Sequence, residues 1–314
     1  MRVASRAAWL IVAAVMSPLL HACDSDGMLP EAGGRPSEVL VVGDTCSVVG
    51  NELRRCVAGL PQQEPMFDVV EPCHGRDGLT AQDRLHHNIV VVTIDSTRCP
   101  RTTVTYERDV YARRQIVVSV SAPSVESLRR DIGRCPLHRL LLGNELLRHT
   151  HYLKRHADKA LTADVARMMG FGIDVPEGMT LRKRGHGFVW LSDNGTPVMA
   201  NLCLYVSDNR DSVMAVNIKG ETDDMHMSTV PSSTTAITVT DSRHRHVTVR
   251  RGLWQMTGDA MGGPYVSRSM SVGGRHIVAE AFVFAPGRDK RDVMRRLEAV
   301  LMTLRTDSAA DIRK

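Results

Sequence analysis

Aromatic residues are scarce, 4% of the 314 positions. Single-stranded nucleic acid is gripped largely by base stacking on aromatic rings, so no nucleic-acid partner is expected. No C-x-x-C occurs, which removes the zinc ribbon and the thioredoxin-type redox pair. The nucleophile elbow G-x-S-x-G, the H-E-x-x-H helix, the Walker phosphate loop and the G-x-G-x-x-G dinucleotide turn are also missing. No cofactor and no catalytic residue can therefore be named. The longest apolar run, from Ala7 to Leu20, has 14 positions. A membrane-spanning helix needs about 20, so a permanent span is disfavoured.

That run belongs to a different pattern. Arg2 and Arg6 precede it, and no acidic residue occurs before Asp24. This is the layout of a secretory signal. It ends in Leu20, His21, Ala22 and Cys23, which resembles the lipobox of lipoprotein signal peptidase substrates. The resemblance implies cleavage before Cys23 and lipid on its sulfur. Acylation of the new amino terminus would add a further chain, and two or more chains make a stable anchor. The expected product is a lipoprotein of the cell envelope, facing outside the cytoplasm, with the outer membrane as its expected place. Residues 23–36 are rich in Gly, Pro and acid and read as a flexible tether.

Cleavage takes two arginines and no acid, so the net charge falls from +5 to +3. Basic runs remain at 182–184 and 243–251, which suit anionic lipid or glycan when they are not simply solvated faces. With Cys23 committed to lipid, Cys46, Cys56, Cys73, Cys99, Cys135 and Cys203 are left. An oxidising compartment permits bridges among them, at least one in the first half, but six cysteines allow 15 pairings. Buried free thiols are the alternative.

Short β-branched runs at 38–44 and 88–95 read as buried strands. Helices are expected around 51–57 and 80–87, strands around 103–108 and 115–121, and a helix from its N-cap Ser124, then another over 137–156. This alternation predicts an α/β domain over 37–169. The Gly-rich stretch near 170 marks the expected boundary. Residues 170–306 carry a series of strands interrupted by a helix around 211–218 and closed by an amphipathic helix. Val293, Leu297, Val300, Leu301 and Leu304 form its apolar face; Lys290, Arg291, Arg295 and Glu298 lie largely on the other. The fold class is α+β: an N-terminal α/β domain, then an antiparallel sheet packed by the C-terminal helix. Residues 307–314 are a polar tail.

This second half resembles the PsbP and Mog1 type of sandwich in its layout and in the phrase I-D-V-P-E-G. Six longer phrases, at 35–44, 59–69, 107–118, 210–214, 251–267 and 280–304, resemble a Bacteroidetes lipoprotein family catalogued as domain of unknown function 4837. The resemblance implies an anchored, two-part body over nearly the whole mature length. It brings no catalytic residue or ligand.

Within the phrase at 250–267, Arg250, Arg251, Trp254, Asp259, Gly262 and Gly263 are the candidate contacts for a ligand or partner. Glycine lets another chain or ligand approach closely. A structural hairpin whose glycines meet turn geometry is the commoner alternative. Arg108, Asp109, Tyr111, Arg113 and Arg114 form a second cluster, able to clamp a carboxylate or phosphate or simply to salt-bridge. His244 with His246, and His149 with His151 and His156, lack the third or fourth ligand a metal needs, so no metal site is assigned. The expected role is a binding or assembly module whose partner is an envelope protein or an anionic lipid or glycan. The alternative is an envelope hydrolase or transferase with an unfamiliar site. Wild-type chain is predicted to incorporate labelled palmitate in cells and Cys23→Ala to incorporate none; equal labelling of the two would remove the anchor.

Overall fold

The computed structural model describes residues 29–57, 60, 63–72, 79–222, 224–241 and 244–306. The signal segment, Cys23, Cys73, Arg243 and the tail 307–314 lie outside these residues. The first sheet is built from β1 (Glu38–Val42), β2 (Asp68–Val70), β3 (Asn88–Ile94), β4 (Thr103–Arg108) and β5 (Ile116–Ala122). Its order is β2-β1-β3-β5-β4, parallel except for β4 against β5. Val39 to Val42 of β1 and Ile89, Val90 and Val92 of β3 bury as their continuous apolar runs foretell, while Ile94 at the end of β3 is exposed. One face is covered by α1 (Val48–Leu53), α2 (Val125–Asp131) and the first turns of α3 (Leu137–Leu153), with Leu53, Leu128, Leu137 and Leu141 in the shared core.

The α+β class and the order of the two halves stand as expected, with local differences. The helix expected at 51–57 runs instead from Val48 to Leu53. That expected at 80–87 shrinks to one 3-10 turn at Asp83–Leu85. There the Asp83 carboxylate accepts from the Thr80 amide and hydroxyl at 3.0 and 2.8 Å, closing a local turn in place of a longer helix. The expected tether is fixed from Pro30 onward: Arg113 N donates to Pro30 O (2.7 Å) and Gly33 N to Leu85 O (2.7 Å). Gly34, at φ +99°, admits the His87 ring, which would stand 2.9 Å from a β-carbon there. Among the described residues, Cys46, Cys56, Cys99, Cys135 and Cys203 are all unbridged, and Cys203 is buried.

The second sheet has eight antiparallel strands. On the path β10-β11-β12-β13-β8-β7-β6 lie β6 (Thr180–Gly185), β7 (Phe188–Ser192), β8 (Met199–Val206), β10 (Thr235–Thr240), β11 (His246–Met256), β12 (Gly262–Val272) and β13 (Arg275–Phe284). The short β9 (Met227–Thr229) pairs with β11 off this path. Alternate residues feed two cores. One face packs under α6 (Arg291–Leu301) and α4 (Lys159–Met169); the other, aromatic and methionine-rich, packs under α5 (Arg210–Asn217). Asp158 caps α4 by accepting from Leu161 N, and Gly170 ends it at φ +71°. Val165 and Met169 of α4 enter the second core, so that core draws on chain before residue 170.

The closing helix departs most from its sequence reading. Its apolar face buries Leu297, Val300 and Leu301 against the second sheet as expected. Its supposed solvated face does not meet solvent: Arg291 and Arg295 are 8% and 6% exposed, pressed against the first half. Arg295 donates to Ser37 Oγ and, at 2.6 Å, to Met66 O, and its guanidinium lies 4.7 Å from the centre of the Phe67 ring. Arg291 grips Asp68 through two nitrogens at 3.1 and 2.7 Å. Glu64 accepts from the amides of Lys290 and Arg291 at 2.8–3.0 Å, so a carboxylate from the first half caps the last helix. It satisfies amides that have no partner within the helix and sits where the helix dipole favours negative charge. Sequence periodicity sees a polar stripe but not that a second domain covers it.

Removing the Arg295 side chain would leave the half-buried Met66 carbonyl and the buried Ser37 hydroxyl without their donor. Arg295→Ala is predicted to lower stability by about 2–3 kcal/mol in urea unfolding. A loss below about 0.5 kcal/mol would mean the seam contributes little.

Candidate functional site

The glycine-rich phrase is a packing solution. Trp254 is 2% exposed, donates from Nε1 to Val283 O at 3.2 Å and meets Phe282 edge-on. Gly263 is its cross-strand partner, and a β-carbon there would lie 2.1 Å from Val283 O and 3.2 Å from Trp254 Nε1. One on Gly262 would lie 2.8 Å from Trp254 O. The missing side chains thus let the indole and the neighbouring backbone approach. Arg251 pairs with Glu298 of α6. Arg250, one residue earlier on the strand, faces the opposite side. Asp259 is exposed, its carboxylate accepting from Ala260 N at 2.6 Å. The six residues therefore do not converge on one surface, and the hairpin alternative accounts for the phrase.

His244 lies in the turn before β11 at φ 59°, so it does not share a strand face with His246. No group of three or more metal-binding side chains occurs among the described residues. Glu280 is fully buried and held by Arg210 (2.7 and 2.9 Å) and by the Tyr205 hydroxyl (2.9 Å). The Arg210 guanidinium stacks 3.9 Å from the Tyr265 ring centre. This pair pins α5 to the sheet. In the 108–114 cluster, Arg108 donates to Asn144 Oδ1 at 3.1 Å, while Arg113 and Arg114 both pair with Glu31.

A second polar centre sits under α3. His87, Asn88, Asn144 and Glu145 are at most 1% exposed. His87 Nδ1 lies 2.6 Å from Gly33 O and its Nε2 2.5 Å from Glu145 Oε1, which also accepts from Asn88 Nδ2 at 2.7 Å. Both ring nitrogens thus face oxygens. Burial alone would raise the Glu145 pKa. The hydrogen bond and charge of His87, with Arg148 and Asn88, outweigh it and hold it at about 2. Its other oxygen, Oε2, is buried without a hydrogen-bond partner, 3.9 Å from His149 Nε2.

Above this centre α3 borders a cleft of about 350 Å³, large enough for a small ligand. Arg114, Arg148, His149, His151, Tyr152 and Arg155 line one side; Glu31, Ala32, Gly34 and Pro36 line the other. Three guanidinium groups meet one lining carboxylate, Glu31, which Arg113 also engages. Arg148 has Glu145 as its only carboxylate within 4.0 Å, at 3.9 Å, and Arg155 has no ion pair among the described residues. Burial lowers the pKa of Arg148, with Glu145 opposing and Arg114 reinforcing the effect. Burial likewise lowers that of His149. Of these residues, Arg114 and the histidines are picked out by sequence. Arg148 and Arg155 are missed, although the basic run R-H-T-H-Y-L-K-R-H at 148–156, spanning the end of α3 and the residues just after it, is the available signal.

Residues 158–303 match the family model described as Domain of unknown function (DUF4837). Residues 32–134 match another, Domain of unknown function (DUF8532). The phrases at 35–44, 59–69 and 107–118 thus lie in the stretch matched by this second model and not, as expected, by the first. No curated protein matches the chain. Among solved structures, a point mutant of protein Mog1 is similar at 8% identity over 45% of this chain and 93% of that one, TM-score 0.29. A protein from Bacteroides thetaiotaomicron VPI-5482 is similar at 16% identity and TM-score 0.25 over 45% of this chain, which spans about half (46%) of that protein.

Because the folded pKa of Glu145 lies below its ordinary value of 4.5, its contribution is present above that value and lost as pH falls toward 2. That contribution is on the order of 3 kcal/mol. Urea midpoints are predicted to fall across this window in the wild type and to fall less in Glu145→Gln. Parallel pH curves would show that the carboxylate does not drive the loss.

Proposed function

We propose that the chain is an envelope binding module, held by lipid on Cys23, that takes an anionic ligand in the cleft along α3. The observation carrying this reading is the convergence of Arg114, Arg148 and Arg155 on a cavity whose lining supplies one carboxylate. Planar guanidinium groups bind phosphate or carboxylate through paired, charge-assisted hydrogen bonds. The cleft also adjoins the seam between the halves, a common setting for ligand sites. It takes the place of the glycine-rich phrase as the proposed contact surface, and a phosphate-, carboxylate- or sulfate-bearing lipid or glycan fits its charge.

Inorganic phosphate, added at constant ionic strength, serves as the test probe. A ligand that binds only the folded state stabilises it by about 2.7 kcal/mol at a hundredfold excess over Kd. The thermal midpoint of the full chain is predicted to rise with phosphate, and the rise to vanish in the double variant Arg148→Gln, Arg155→Gln. An equal rise in that variant would place the anion elsewhere, and no rise in the wild type would count against an anion site.

A further inference from the structure

The basic cleft has a neighbour along α3. His149 and Tyr152 also line a second cavity of about 330 Å³, so the two share a wall. This second cavity sets charged groups, Glu177, Asp193 and Arg296, beside an apolar wall. Leu153, Met179, Val293, Leu297 and Val300 line it where α3 meets α6 and the second sheet. Tyr152 is 58% exposed and stacks on His156, ring centres 4.1 Å apart, forming a shared wall without filling either space. A simple phosphate or sugar phosphate would leave this apolar wall wet.

We infer that the ligand is a single-chain amphiphile with an anionic head, its head between Arg148 and Arg155 and its tail along Leu297 and Val300. The inference rests on the anion-binding reading above and adds the tail. Burying methylene groups in the second cavity would contribute about 0.8 kcal/mol each. The supply is close at hand. Glu31 lines the cleft and is eight residues from Cys23, and eight extended residues reach at most about 28 Å. With Cys23 lipidated, the cleft is therefore confined near the bilayer surface, where such molecules reside.

The test uses the full lipidated chain in phosphatidylcholine nanodiscs and a dodecyl phosphate carrying a diazirine at the end of its tail. After photolysis, crosslinks are expected on the peptides containing Met179 and Leu297. Unlabelled dodecyl phosphate is expected to compete at least tenfold better than methyl phosphate, and dodecanol to leave labelling within twofold. Val293→Trp, which narrows the tail cavity alone, is expected to cut labelling at least tenfold while keeping the phosphate-induced rise in thermal midpoint, which also shows that the variant folds. Equal competition by methyl phosphate, or absence of crosslinks in these peptides, overturns the tail site. If phosphate still raises the midpoint in the same preparation, the anion reading stands without it; if it does not, both fall.

Discussion

The structure turns on one helix with two buried faces. α6 lays Leu297, Val300 and Leu301 into the antiparallel sheet and presses Arg291 and Arg295 onto the first half. Buried arginine is costly to desolvate, and burial brings the Arg295 pKa down to about 10. The compensation is local: a hydroxyl and a carbonyl accept its protons, a phenyl ring faces its plane, and Asp292 lies near. Glu64 then caps the same helix from the opposite half. An apolar seam would bury area without direction, whereas these bonds fix the register of one half on the other. That register places α3 against α6, and the second cavity lies where they meet.

The two halves contribute differently to the two neighbouring cavities. The first half supplies charge, through the basic run at the end of α3, Arg114 and the docked segment from Glu31 to Pro36. The second half supplies the apolar wall through Met179, Ala200 and α6. Leu153, the last residue of α3, already belongs to the second core. The boundary between the two matched families, after residue 134 and before 158, brackets this helix.

Much of the architecture is legible in local pattern. Period-two alternation and short valine runs locate the strands, and Ser124 marks a helix start that the structure repeats through its bond to Ser127 N. Contacts between distant segments are not legible in this way. The stripe of Arg291 and Arg295 has the composition of a solvated face, and only the partner surface at Ser37, Met66 and Phe67 makes it interior. The phrase around Trp254 misleads in the opposite sense. Its glycines are unusual because an indole and a neighbouring strand need the space, a demand that mimics a binding loop in sequence. Arg148 and Arg155 were visible as charge, but their convergence with Arg114 depends on a fold that brings chain 34 residues apart onto one cleft.

The central claim is that the α3 cleft, lined by the first half beside the seam, binds an anion. Hydrogen exchange of the full chain with and without phosphate tests it most directly. The account predicts slower exchange at residues 31–36 and along the last turns of α3, with a smaller gain in α6. Protection confined to the basic strand at 182–184, or no change at α3, would contradict it.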